Sequence, residues 1–171
     1  PIAWSTNGLV GVRRFLERVY EFVERVLDKQ RPPFKKEDVD RWLNKEKPTS
    51  QELVGLVNKT IKKVEEDINN FKFNTAISQL MILRNGFYTI DEGDENEITE
   101  TKKEGTGGKF IGRTDLEKFL ILLSPFAPHI AEELWEKLGN TNSIFQQQWP
   151  EYDPRKIQEE RKEVVIQING K

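Results

Sequence analysis

The sequence predicts an all-α fold, a bundle of amphipathic helices that ends in one short β-strand. Apolar residues recur at spacings of three and four over several long stretches, which is typical of helices with one buried face. A stiff corner that contains two prolines, residues 123–135, joins two of these stretches. Near the end of the chain the β-branched run 164–168 precedes Asn169 and Gly170, a strong hairpin-turn signal.

The composition limits the possible functions. The chain has 171 residues, a net charge of −2 and no cysteine. It is long enough for one domain with a real core, and disulfides and thiolate metal sites are excluded. No apolar run is long enough to cross a membrane. Because no overall basic excess exists, a nucleic-acid site would have to come from a local patch.

The first helix is predicted over residues 9–29. Its inward face consists of seven apolar residues at helical spacing: Val12, Phe15, Leu16, Val19, Phe22, Val23 and Val26. Two prolines at 32 and 33 end it. A short helix over 35–47 is predicted to follow, with Val39, Trp42 and Leu43 facing inward.

Capping residues predict where the second and third long helices begin. Thr49 and Glu52 have the spacing of a capping box, which places a helix from there to about residue 70. Asn74 is the predicted cap of the next helix. The inward residues of these two helices are Leu53, Val57, Ile61, Val64 and Ile68, then Ala76, Ile77, Leu80, Met81 and Leu83.

Residues 91–112 are predicted to form a flexible acidic insertion, because they contain little that could be buried. The Gly-rich run 105–109 superficially suggests a phosphate-binding loop. Phe110 stands where that motif needs a hydroxyl, and no apolar strand precedes the run, so nucleotide binding is disfavoured.

The fourth and fifth helices flank the proline corner. Thr114 and Glu117 form a second capping box, and the fourth helix runs from there into Pro125. Pro128 suits the first turn of the fifth helix, which Gly139 should end. The predicted inward residues of the fourth helix are Leu116, Phe119, Leu120 and Leu123.

No catalytic residue and no metal-ligand set is predicted. His129 is the only histidine, and a structural or capping role suits it better than catalysis. Glu132 and Glu133 are adjacent on a helix and point about 100° apart, so they cannot form a facing carboxylate pair.

Basic residues on two helices allow two interpretations. Three arginines lie opposite the apolar face of the first helix, next to glutamates: Arg14, Arg18 and Arg25. Lys59 and Lys63 lie opposite that of the second, with Lys62 to the side. Mixed charge is the usual pattern of a solvated surface. The alternative is an edge that contacts phosphates.

The corner sequence Leu-Ser-Pro-Phe-Ala-Pro-His-Ile-Ala-Glu-Glu-Leu-Trp resembles that of the helical anticodon-binding domain of class I aminoacyl-tRNA synthetases, in particular their leucyl branch. Residues 11–19, 59–77, 143–150 and 165–171 are similar to further stretches of that domain, in the same order. The chain departs from the family at Asn58, where a histidine is usual, and in the length of the insertion.

The resemblance implies that the full protein attaches leucine to tRNA(Leu) with ATP and Mg²⁺, as a cytoplasmic monomer. The catalytic signatures of the group are missing here, so this part would be non-catalytic, dock on the catalytic domain and hold tRNA. The expected tRNA-binding residues are Arg13, Arg14, Arg18, Lys59, Lys62 and Lys63.

The resemblance also implies domain limits. Residues 1–160 would form the helical domain, and 161–171 would begin a truncated C-terminal domain. Two alternatives stay open: the equivalent domain of a valyl, isoleucyl or methionyl enzyme, and a helical interaction module with no role in RNA binding.

Overall fold

The computed structural model describes residues 6–27, 41, 43–45, 48–87 and 111–157, and the regular structure within these ranges is helical. Its helices are α1 (Thr6–Leu27), α2 (Gln51–Asn69), α3 (Phe73–Asn85), α4 (Arg113–Leu123) and α5 (Pro128–Lys137), followed by the 3-10 turns Ile144–Gln146 and Pro154–Lys156. The prediction of helices is confirmed for this part of the chain. The predicted strand at 164–168 lies outside the described residues, as does all but the end of the acidic insertion.

The helix α1 buries one face, as its spacing predicts. Val19 and Val23 are fully buried, and Phe15 is 7% exposed. The prediction is wrong for Val12, which is 40% exposed. At this level α1 faces an open groove that it shares with Ile130 of α5, and no helix of the described residues covers the side chain.

The helices α2 and α3 form a tightly packed antiparallel pair joined by residues 70–72. The N–H groups of Phe71 and Lys72 donate to the carbonyls of Ile68 and Asp67, at 3.0 and 2.7 Å. These hydrogen bonds end α2 in a short turn, and α3 follows directly, with Lys72 as its N-terminal cap residue. The prediction of Asn74 as the cap is therefore wrong.

Both predicted capping boxes are wrong in their details. α2 has Ser50 as its cap residue and α4 has Gly112, and neither makes a side-chain capping bond. The hydroxyl of Thr49 instead accepts a hydrogen bond from the buried N–H of Gly112, at 2.9 Å. These polar groups are used by partners distant in sequence, which the local pattern cannot reveal.

The proline corner forms as predicted. α4 ends at Leu123, and the N–H groups of Phe126 and Ala127 donate to its carbonyl at 3.0 Å each. Pro128 occupies the first turn of α5. At the other end of α5, Gly139 has φ of +87°, the left-handed conformation in which glycine commonly ends a helix.

Three aromatic rings form the centre of the core. Phe87, which follows α3, is fully buried. Its ring centroid lies 5.2 Å from that of Phe22 on α1 and 4.8 Å from that of Phe119 on α4. This contact fastens the α2–α3 pair between α1 and α4. Leu43 is the one described residue among those predicted to face inward from the helix at 35–47, and it packs partly buried against this core.

Candidate nucleic-acid interface

The six predicted tRNA-binding residues lie on two helices, with three arginines on α1 and three lysines on α2. α1 packs mainly against α5, whereas α2 packs mainly against α3. No hydrogen bond or ion pair between described residues connects the two groups. The predicted site is therefore two basic surfaces on one fold.

Of the four arginines of α1, the three that are predicted to bind tRNA differ in their pairing. Arg13 is exposed, and its Nε lies 2.7 Å from a carboxylate oxygen of Glu17. This hydrogen bond raises the pKa of the Arg13 guanidinium. Arg14 and Arg18 are also exposed, and their side chains form no ion pair with any described residue. Those two are the arginines best placed to receive a phosphate.

The Arg18 backbone is anchored separately. Its carbonyl accepts a hydrogen bond from Nη2 of Arg84 on α3, at 2.9 Å. This bond connects the arginine surface of α1 to the end of the α2–α3 pair.

The lysines of α2 differ in how closely each is paired with a carboxylate. Lys59 is exposed and forms no ion pair with any described residue. The Nζ of Lys62 lies 3.9 Å from Oε1 of Glu66, which is a long ion pair at the surface. Lys63 donates to Asp67 at 2.6 Å, and the Asp67 side chain is only 2% exposed.

The bond between Lys63 and Asp67 has an electrostatic consequence. The hydrogen bond from Lys63 is the main cause that holds the pKa of Asp67 below its usual value. Lys63 therefore has a structural task in the fold. Lys59 and Lys62 are the lysines most available to a ligand.

Two side chains hold this face of α2 in position. Asn58 donates to the Val54 carbonyl at 2.8 Å, and its Oδ1 accepts the N–H of Asp153 at 2.7 Å. Thr60 accepts a hydrogen bond from Gln79 on α3, at 2.9 Å. Asn58, the position that departs from the family pattern, thus ties the segment after α5 to α2. Sequence spacing offers no signal of this contact.

A second missed feature is a half-buried ionic cluster at the start of α4. Glu117 receives hydrogen bonds from Arg113 at 2.9 Å and from Lys45 at 2.7 Å. Arg113 also donates to the Leu43 carbonyl at 2.6 Å and to Asn140 at 3.3 Å. These hydrogen bonds pair the charged groups of Arg113, Lys45 and Glu117 with one another and hold the described residues before α2 onto α4.

Of the residues considered for catalysis, the two glutamates have structural partners. His129 is exposed in the first turn of α5. Glu132 accepts the N–H of Ile144 at 3.0 Å, and Glu133 accepts the hydroxyl of Tyr20 at 3.0 Å. The two glutamates thus point to different partners, as their spacing predicts. The described residues contain no group of three or more His, Asp or Glu side chains that could hold a metal ion.

These observations define a class, a helical domain that presents exposed cations on two of its helices. In the described part of the chain no helix is long and apolar enough to cross a membrane. The chain belongs to the family of anticodon-binding domains of tRNA ligases, whose family model matches residues 50–171. The resemblance found in the sequence is thereby confirmed.

Curated relatives are similar over nearly the whole chain. The leucine–tRNA ligase of Borrelia hermsii is 40% identical over 169 residues, which is 98% of this chain and 16% of that protein. The leucine–tRNA ligase of Thermotoga petrophila is 41% identical over 98% of this chain and 19% of its own length. The chain thus spans less than a fifth of the relatives it matches.

A solved structure has the same fold. It is the crystal structure of a ternary complex of the Agrobacterium radiobacter LeuRS with tRNA and LeuAMS, and the match has a TM-score of 0.61 at 27% identity. It covers 92% of this chain and 18% of that one.

Proposed function

We propose that the chain is the tRNA-binding helical domain of a leucine–tRNA ligase, the enzyme that attaches leucine to tRNA(Leu). The observation that carries this proposal is the 40% identity to a leucine–tRNA ligase over 98% of the chain. That identity favours the leucyl enzyme over its valyl, isoleucyl and methionyl counterparts. It also speaks against a helical module without a role in RNA binding.

In this proposal the chain positions tRNA and does not catalyse. ATP and Mg²⁺ would be held by the catalytic part of the ligase, which lies in the remaining length of such a protein. As the resemblance implies, the enzyme would be a cytoplasmic monomer, with its helical domain ending near residue 160 and a further domain beginning there.

The proposed contacts are to phosphate and ribose. Lys59 and Lys62 on α2, together with Arg14 and Arg18 on α1, present exposed cations on regular helices. Cations of this kind fix the orientation of a nucleic acid without reading its sequence, and RNA helices are recognised mainly by shape. A chain with a net charge of −2 needs such local surfaces to bind tRNA.

Charge reversal on α2 tests the proposal. In the full-length ligase, Lys59→Glu together with Lys62→Glu should weaken tRNA(Leu) binding and leave leucyl-adenylate formation intact. The slope of log K against log salt concentration should become shallower by about one for each phosphate that the protein no longer neutralises. Lys63 is left unchanged, because a glutamate there would face the buried Asp67.

The matched control reverses two cations outside the predicted set. Arg155→Glu together with Lys156→Glu makes the same change in charge at exposed positions of the second 3-10 turn after α5, and should leave both affinity and salt slope as in the unchanged enzyme. If both double variants lose tRNA affinity equally, the loss reflects the change in net charge and not the position of the lysines. No loss in the lysine pair would show that the α2 face is only solvated surface.

We also propose that α1 contacts the catalytic domain through its apolar end. Leu9, Val10 and Val12 are 51%, 47% and 40% exposed. Two of them border a groove of about 470 Å³ that Leu16 and Ile130 complete. An apolar surface of this kind is typical of a contact with another domain, and the relatives carry more than four-fifths of their length outside the matched part.

A further inference from the structure

The turn between α2 and α3 holds a phenylalanine in an unusual backbone conformation. Phe71 has φ of +56°, in the left-handed region that bulky residues rarely adopt. Its N–H donates to Ile68 and that of Lys72 donates to Asp67, the pattern that ends a helix with glycine in most proteins. The chain therefore places a large aromatic side chain where glycine would be more stable.

The ring of Phe71 is also the most exposed large apolar group of the described residues. Its exposed fraction is 82%, compared with 45% for Phe73. Its centroid lies 6.0 Å from that of Phe73, whose ring lies in turn 6.3 Å from that of Phe126 at the proline corner. These edge-to-face contacts hold one end of a short row of rings against the fold. The Phe71 end of the row remains in water.

The free end of this row lies beside one lysine and the amino-terminal end of α3. Lys72 is exposed and is the cap residue of α3, whose first turn contains no acidic residue. The amino-terminal end of a helix is itself partially positive. The buried carboxylate of Asp67 accepts a hydrogen bond from Lys63, and the charge of Lys72 also acts on it. An exposed ring beside this positive charge fits a ligand that has both a flat face and a phosphate.

We propose that Phe71 stacks on an unpaired base of the bound tRNA, with Lys72 and the start of α3 facing an adjoining phosphate. Stacking on an aromatic ring is the common way in which proteins hold unpaired bases, and it tolerates any base because every base has a flat face. This inference rests on the proposed function and adds a second kind of contact to it. Binding of a ligand by the exposed ring would explain why Phe71 is retained in a strained backbone conformation.

The test uses the full-length ligase and a tRNA(Leu) transcript. Phe71→Ala and Phe71→Leu should each raise the Kd by roughly 5- to 100-fold, the range commonly contributed by one stacked base. Phe71→Tyr keeps the ring and should bind as the unchanged enzyme does. Phe71→Gly should weaken binding like Phe71→Ala while raising the Tm, because glycine adopts positive φ without strain.

Phe145→Ala is the matched control, since Phe145 is 59% exposed and lies in the 3-10 turn after α5. It should leave the affinity unchanged. Leucyl-adenylate formation should also be unchanged in every Phe71 variant. A loss of adenylate formation would mean that the ring packs against the catalytic domain, and it would overturn the proposal.

The remaining outcomes separate this inference from the proposed function. If Phe71→Leu binds normally, an apolar contact suffices and stacking is refuted. If the Phe71 variants all bind normally while Lys59→Glu with Lys62→Glu does not, α2 binds tRNA and the ring does not. If neither set loses affinity, the inference fails together with the proposed tRNA contacts of α2.

Discussion

The ion pair between Asp67 and Lys63 shows how the burial of one residue changes what an ion pair contributes to stability. Exposed pairs one helical turn apart contribute little to stability, because water screens both charges. Here the carboxylate of Asp67 is buried and Lys63 Nζ lies 2.6 Å from it. Leaving that carboxylate without its partner would be costly. Lys63 is therefore a structural residue as well as a candidate for tRNA binding.

This pair predicts a pH-dependent stability. The folded-state pKa of Asp67 is lowered, first by the hydrogen bond from Lys63. The stabilisation is therefore present above the unfolded pKa, about 3.9, and is lost as the pH falls through the lower folded value. Lys63→Met should be less stable than the unchanged chain at pH 7, with a smaller difference at pH 3. Urea unfolding at the two pH values measures this.

The control for this prediction is Lys59→Met, which removes a lysine that pairs with no described residue. Its stability should follow the pH as that of the unchanged chain does. A Lys63→Met deficit that is the same at pH 7 and pH 3 would contradict the assigned role of Asp67.

At the scale of the element, the start of α2 is determined by a contact distant in sequence. Thr49 is 7% exposed, and its hydroxyl accepts the N–H of Gly112, 63 residues further along the chain. Gly112 is the cap residue of α4, so one hydrogen bond connects the beginnings of two helices. A capping box would have used Thr49 within its own helix.

Replacing Thr49 and Thr114 by valine distinguishes the observed hydrogen bond to Gly112 from the two predicted capping boxes. Thr49→Val should destabilise the chain by about 1–3 kcal/mol, because a buried N–H would lose its acceptor. Thr114→Val should change stability by less than about 0.5 kcal/mol, since Thr114 is exposed and is not the cap of α4. Thermal or urea unfolding of both variants provides the comparison. Equal losses would support the two capping boxes instead.

At the scale of the whole molecule, the exposed cations that pair with no described residue are spread over the fold, on α1, on α2, at Lys72 before α3 and at Lys156 in the last 3-10 turn. The apolar groove lies between the beginning of α1 and Ile130 of α5, and Arg13 and Glu17 also border it. With a net charge of −2, the domain would not attract RNA from every side. We propose that Lys59 and Lys62 contact tRNA while the groove beside α1 contacts the catalytic domain, because these two surfaces lie on different helices.

A substitution in the groove tests the second of these contacts. Leu9→Ser together with Val12→Ser should leave the stability of the 171-residue chain within about 0.5 kcal/mol, because both side chains are exposed. In the full-length ligase it should lower the Tm and the rate of aminoacylation. Ile82→Ser, at a position that is 53% exposed outside the groove, is the control. A normal double variant would show that the groove is not a domain contact.

The amino-acid sequence by itself determined the helices, their buried faces and the family. Val19, Val57 and Leu120 are buried where their spacing predicts, and Pro128 and Gly139 begin and end α5. These features could be predicted because helical periodicity and the backbone restrictions of proline and glycine act within a few residues.

Only the tertiary structure decided which polar groups meet, and with that which cations are available to a ligand. Asn58 binds Asp153 across 95 residues, and Glu117 binds Lys45 across 72. Such partners depend on how distant segments pack, which no local pattern specifies. For the same reason the sequence could name six basic residues, while only the fold separated Lys59, which pairs with no described residue, from Lys63, which holds a buried carboxylate.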